Sequence, residues 1–135
     1  MLYDEEKDYM MRMIREISRV LFSMLFGKKY TQVETELRNK FRTEGTPQDA
    51  LKDLVDHGKI DEAENVLLED IDYESKEDVA EAVLFYRYLG ELSDEFLEHH
   101  DFSREEVLDG LRNLAENAGF LGIVEMMTDD GRGGA

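Results

Sequence analysis

Apolar residues recur at three- and four-residue intervals along almost the whole chain, and nowhere do they alternate with polar residues over a strand's length. That spacing gathers them on one face of a helix. The longest such run covers residues 4–26. Met10, Met13, Ile14, Ile17, Val20, Leu21 and Met24 make one stripe. Met11, Phe22 and Leu25 widen it to roughly 200° of the helical wheel. The remaining arc carries Arg12, Arg15 and Arg19. Asp4, Glu5 and Glu6 suit the positive end of the helix dipole, and Gly27 with Lys28 and Lys29 suits the other. A helix this wide in its apolar face needs cover on more than one side. It is the central strut of a bundle, the seam of a homodimer, or a helix lying on a membrane surface with its arginines toward the headgroups.

Five further helices follow. The second starts at Thr31, with Glu34 placed for a capping box, and shows Val33, Leu37 and Phe41 on one face. The third opens with Thr46 as cap and Pro47 in the first turn, turns Ala50, Leu51, Leu54 and Val55 inward, and stops at Gly58. The fourth follows at once, with Asp61 as cap, Glu64 closing the box, and Ala63, Val66, Leu67 and Ile71 inside. So short a connection demands an antiparallel hairpin. The fifth begins at Ser75 and runs through Val79, Ala82, Val83, Tyr86 and Leu89 to Leu97. Leu84, Phe85, Tyr88 and Leu92 give it a second apolar side. The sixth begins at Ser103, boxed by Glu106 and stapled by Phe102 and Val107, and ends at Gly119. A short apolar segment, Phe120 to Met127, is expected to dock on the rest.

The expected fold class is therefore all-α: about six antiparallel helices in a compact bundle. The expected organisation is one helical domain over residues 1–128 and a disordered tail over 129–135, at the size of a single domain.

Charge changes the picture. The chain holds 33 acidic and 16 basic residues, a net charge of −17. Nucleic-acid binding draws on cations meeting phosphates, so no nucleic-acid partner is expected. Anionic membranes repel most of this surface as well, and a membrane partner is not expected. The imbalance is uneven. Residues 1–30 contain six Lys/Arg against five Asp/Glu, net +1, and residues 31–135 contain ten against twenty-eight, net −18. A nearly neutral first helix beside an acidic body favours attraction, within one chain or between two.

There is no Cys, which excludes disulfides and thiolate chemistry. The acidic start is unlike a signal peptide, and the apolar run from Met10 to Phe26 is interrupted by Arg12, Arg15, Glu16 and Arg19, so it does not read as a spanning helix. A reducing cytoplasm is the expected setting.

Two resemblances follow from local strings. Leu51, Leu54, Gly58, Ala63 and Leu67 resemble the turn and second helix of a tetratricopeptide unit, in which small residues let two helices approach. The strings Asp8-Tyr9-Met10-Met11-Arg12-Met13-Ile14, Leu25-Phe26-Gly27-Lys28, Ile60-Asp61-Glu62-Ala63-Glu64-Asn65, Asp94-Glu95-Phe96-Leu97 and Phe102-Ser103-Arg104-Glu105-Glu106 resemble a family of small helical proteins from Firmicute-type bacteria. That resemblance implies a bacterial cytoplasmic helical protein and brings no mechanism with it.

Candidate chemistry is thin. Glu95 and His99, four apart in the cluster Asp94 to Asp101, share a helix face and are the nearest approach to a metal pair. The simpler reading is a solvated final turn with His where the dipole favours its charge. His57, four after Asp53, reads as a local ion pair or capping contact. Gly131-Arg132-Gly133-Gly134 lacks the strand and the Lys-Ser/Thr of a phosphate loop. No catalytic residue, metal ligand or cofactor is assigned. The leading function is a non-enzymatic helical interaction module whose partner is protein, most simply a second copy. The candidate contact residues are Met11, Arg15, Phe22, Phe26, Phe85 and Tyr88. The alternatives are a small enzyme or metal protein using residues 94–101, and a peripheral membrane protein using helix one.

Overall fold

The computed structural model describes residues 2–42 and 47–129. Among them the chain is all-α, with eight α-helices and one turn of 3-10 helix at Gly27–Lys29. The helices are α1 (Leu2–Phe26), α2 (Tyr30–Arg42), α3 (Pro47–Asp56), α4 (Ile60–Glu69), α5 (Lys76–Gly90), α6 (Asp94–His99), α7 (Arg104–Asn117) and α8 (Leu121–Asp129).

The wide apolar arc of α1 finds its cover within the chain. Helices α5 and α7 pack along it and against each other, α2 folds back onto it, and α8 touches it. These three long helices share the core. Ile14, Ile17, Leu21 and Phe22 meet Val83, Phe85, Tyr86 and Leu89 of α5 and Val107, Leu111 and Leu114 of α7 in one cluster, each no more than 2% exposed. Each such side chain contributes about 1.5–3 kcal/mol by leaving water. Ser18, fully buried in the same face, donates its hydroxyl to the Ile14 carbonyl at 2.7 Å and so carries no unmet hydrogen bond.

Helices α3 and α4 form the expected antiparallel hairpin, attached chiefly through α3 to α2. The connection is short because Gly58 takes a positive φ of 81° and Lys59 returns its amide to the Leu54 carbonyl at 2.8 Å.

Serine caps act as the spacing predicts. Ser75 accepts from the Asp78 amide at 3.2 Å and Ser103 from the Glu106 amide at 3.2 Å, while Phe102 and Val107 are both buried beside the start of α7. Several expectations need correcting. Helix α2 starts at Tyr30, so Thr31 lies within its first turn rather than at its cap, and Ala50 and Val66, expected inside, are exposed. The helix expected to run from Ser75 to Leu97 is two helices: α5 ends at Gly90, and Ser93 starts α6 by accepting from the Phe96 amide at 3.1 Å. Asp61 does not cap α4. Lys59 holds that position without a side-chain hydrogen bond, and Asp61 lies in the first turn, where its charge still suits the dipole. The count rises from six to eight because the segment after Gly119 is also helical, docked by Val124 at 0% exposure. Asp129, expected in the tail, belongs to α8. The cap expected at Thr46 and residues 130–135 lie outside the described residues.

Candidate functional site

The six candidate contact residues fall into two groups. Phe22 and Phe85 are 0% exposed. They are core side chains, because α1 is covered on several sides and α5 is buried almost all round, so neither offers a surface to a partner. Phe22 stacks at a tilt against Phe26, 6.0 Å between centroids, and Phe85 meets the edge of Tyr86 at 5.4 Å. Phe26 is half-buried. Tyr88 is half-buried too, and its hydroxyl donates to the Asp56 carboxylate of α3.

Met11 and Arg15 come together. With Ile14 they line one wall of a cleft of about 280 Å³ between α1 and α5, and Arg87, Gly90 and Glu91 line the other. Ile14 is the apolar floor. Gly90 allows the two helices to close here, since a Cβ on it would lie 3.0 Å from the branches of Ile14. Arg87 spends one terminal nitrogen on Glu34 of α2 at 3.1 Å. Its Nε is shielded from water and has no hydrogen-bond partner among the described residues. Such a group costs about 1–3 kcal/mol.

A second cluster was not foreseen in the sequence. Arg104, 6% exposed at the start of α7, donates to the Gly90 carbonyl at 3.4 Å and to the Leu92 carbonyl, and pairs with Asp94. Asp94 also takes the Lys7 ammonium of α1 at 2.9 Å. One guanidinium thereby satisfies carbonyls left over where α5 stops and neutralises the carboxylate where α6 starts. A shallow cavity of about 180 Å³ borders this cluster, lined in part by Met10, Leu97 and Phe102.

Two tyrosines of α5 hold the hairpin to the core. Tyr86 donates to the Glu64 carboxylate of α4 at 2.7 Å, as Tyr88 does to Asp56. Burial, then the hydrogen-bonded carboxylate, raises both phenols above their ordinary range.

Glu95 and His99 are both exposed. Among the described residues no group of three or more His, Asp or Glu side chains is arranged to hold a metal ion. His100 instead stacks against Phe96, 4.5 Å between centroids, and covers Gly58. His57 sits 2.8 Å from the Asp53 carbonyl, a contact within one helix end. No helix among the described residues is long and apolar enough to cross a membrane.

The chain belongs to a family described as a family of unknown function (DUF6483), whose sequence model matches residues 4–119, from α1 through the glycine that ends α7. No curated protein and no solved structure matches it. The cleft and the Arg104 cluster both lie within the matched span.

Proposed function

We propose that this chain is a non-enzymatic helical interaction module of the bacterial cytoplasm that associates with a second copy of itself through the outward side of α1. The observation that carries the reading is electrostatic. Arg12, Arg15 and Arg19 are exposed along one side of α1, and Lys28 and Lys29 extend the positive charge beyond its end. They belong to a segment of net +1 beside a body of net −18. On the opposite border of the exposed arc stands Met24, 44% exposed, an adaptable apolar contact next to charge. Met126 of α8, at 75%, adds to the exposed apolar surface.

The polar contacts between helices support a structural rather than a chemical role for most buried charge. Tyr86 with Glu64, Tyr88 with Asp56, Arg87 with Glu34, and Asp94 with both Arg104 and Lys7 each join separate helices. The α3–α4 hairpin, with tetratricopeptide-like packing, serves as a scaffold for the module. The membrane-surface reading has less support, because most of the apolar face of α1 packs on the core.

A contact with few apolar anchors and many charges belongs to the weak, transient class. Light scattering on size-exclusion fractions of the whole protein, over a range of concentrations and salt, tests this. Mass rising toward two chains at high protein concentration, and falling back as salt is added, is expected. A single-chain mass under every condition overturns the reading.

A further inference from the structure

We propose that the cleft between α1 and α5 seats a carboxylate side chain from the second copy, with Arg15 as its receptor. The inference rests on the self-association reading and names its contact point. Arg15 is exposed and has no ion pair or hydrogen bond among the described residues. Arg87 lines the opposite wall of the same cleft, with one terminal nitrogen on Glu34 and its Nε shielded from water without a partner among the described residues. Guanidinium is a planar fork of donors whose best match is a carboxylate. At about 280 Å³ the cleft is at or below the small end of ligand pockets, a space suited to one inserted side chain. Met11 and Ile14 line it with apolar surface for the methylene stem of an Asp or Glu. Glu91 sits on the α5 side, which leaves the Arg15 side as the electrostatically open one. The occupant is a second copy because the supply of carboxylates is this chain's own surface: residues 31–135 carry twenty-eight. In a two-fold dimer the seat occurs twice, each copy receiving an acid from the other.

The experiment is sedimentation equilibrium on the full chain, comparing the wild type with Arg15→Gln and with Lys29→Gln. Arg15 and Lys29 are both exposed, so neither change touches the core. The wild type is expected to dimerise, Arg15→Gln to weaken dimerisation about tenfold, and Lys29→Gln to weaken it about twofold or less. If the wild type dimerises and Arg15→Gln matches it, the cleft proposal falls while self-association stands. Equal weakening by both variants assigns the effect to net charge and also overturns the cleft. A wild type that never dimerises removes both readings.

Discussion

Gly110 of α7 faces the ring of Tyr86 so closely that a Cβ there would lie 2.3 Å from the ring's Cε1. The ring cannot step aside easily, because its hydroxyl is held by Glu64 and its edge by Phe85. Gly110→Ala therefore sets two effects against each other. Alanine favours a helix by about 1 kcal/mol over glycine. Overpacking a tight core costs about 1–3 kcal/mol. The clash should win, and urea unfolding should show a net loss of stability. Gly122→Ala, where nothing lies within 4 Å, should be neutral or slightly stabilising. A stabilised Gly110→Ala would mean that α5 and α7 are not packed this closely.

The two raised tyrosines set the alkaline behaviour. Burial and a carboxylate partner hold Tyr86 and Tyr88 protonated in the folded chain beyond their ordinary pKa of 10.0. The unfolded chain releases those protons near 10.0, so above that pH it binds fewer protons than the folded one. Stability is complete below 10.0 and declines as pH rises toward the folded values. Urea midpoints measured at about pH 9 and about pH 11 should differ, and the difference should shrink in Tyr86→Phe with Tyr88→Phe. A double variant that declines as steeply as the wild type would assign the effect to other groups.

Asp94 should matter more than Lys7, although the two are ion-paired. Asp94→Ala leaves Arg104 buried with carbonyl partners but without its counter-charge, a loss that approaches the about 3–5 kcal/mol of breaking a buried pair. Lys7→Gln removes a group whose side chain is 36% exposed, and should cost about 0–1 kcal/mol. Chemical denaturation of both variants decides the order. Equal losses would show that the carbonyl contacts alone sustain Arg104.

Much of this fold is legible in residue spacing, and the limits have physical causes. The stripe of α1 and the serine caps at Ser75 and Ser103 follow from local rules, and the structure has them. The break between α5 and α6 also has a local signal, Ser93 followed by Asp94 and Glu95, but the apolar period of Leu89, Leu92 and Phe96 carries across it and masks it. The partners of Arg104 are carbonyls at Gly90 and Leu92, which no side-chain pattern announces. Pairing Tyr86 with Glu64 or Arg87 with Glu34 is invisible among 33 acidic residues. Of the contact candidates, Met11 and Arg15 meet at one cleft, whereas the aromatic pair Phe22 and Phe85 turned inward because each also extends an apolar face.

That inward turn gives a direct contrast on one helix. Phe22→Ala should cost about 3–5 kcal/mol as a core truncation, and Phe22→Asp should unfold the chain. Met24→Asp, two residues on and 44% exposed, should leave the melting temperature nearly unchanged. Circular dichroism melts check both. A well-folded Phe22→Asp would place that ring outside the core.

Gly58 combines two constraints that can be separated. Its φ is +81°, and a Cβ would stand 2.3 Å from the Cε1 of His100. Gly119 has a φ of +90° with nothing within 4 Å. Gly119→Ala should therefore show the backbone cost alone, about 1–2 kcal/mol. Gly58→Ala should exceed it, because the imidazole that covers the turn must also move. His100 is the far end of a side chain stacked on Phe96, so its displacement loosens the contact between the α3–α4 hairpin and α6. Adding His100→Ala to Gly58→Ala should recover the excess over Gly119→Ala and leave the backbone part. A double variant no more stable than Gly58→Ala would show that strain at the turn, rather than the ring above it, dictates glycine at this position.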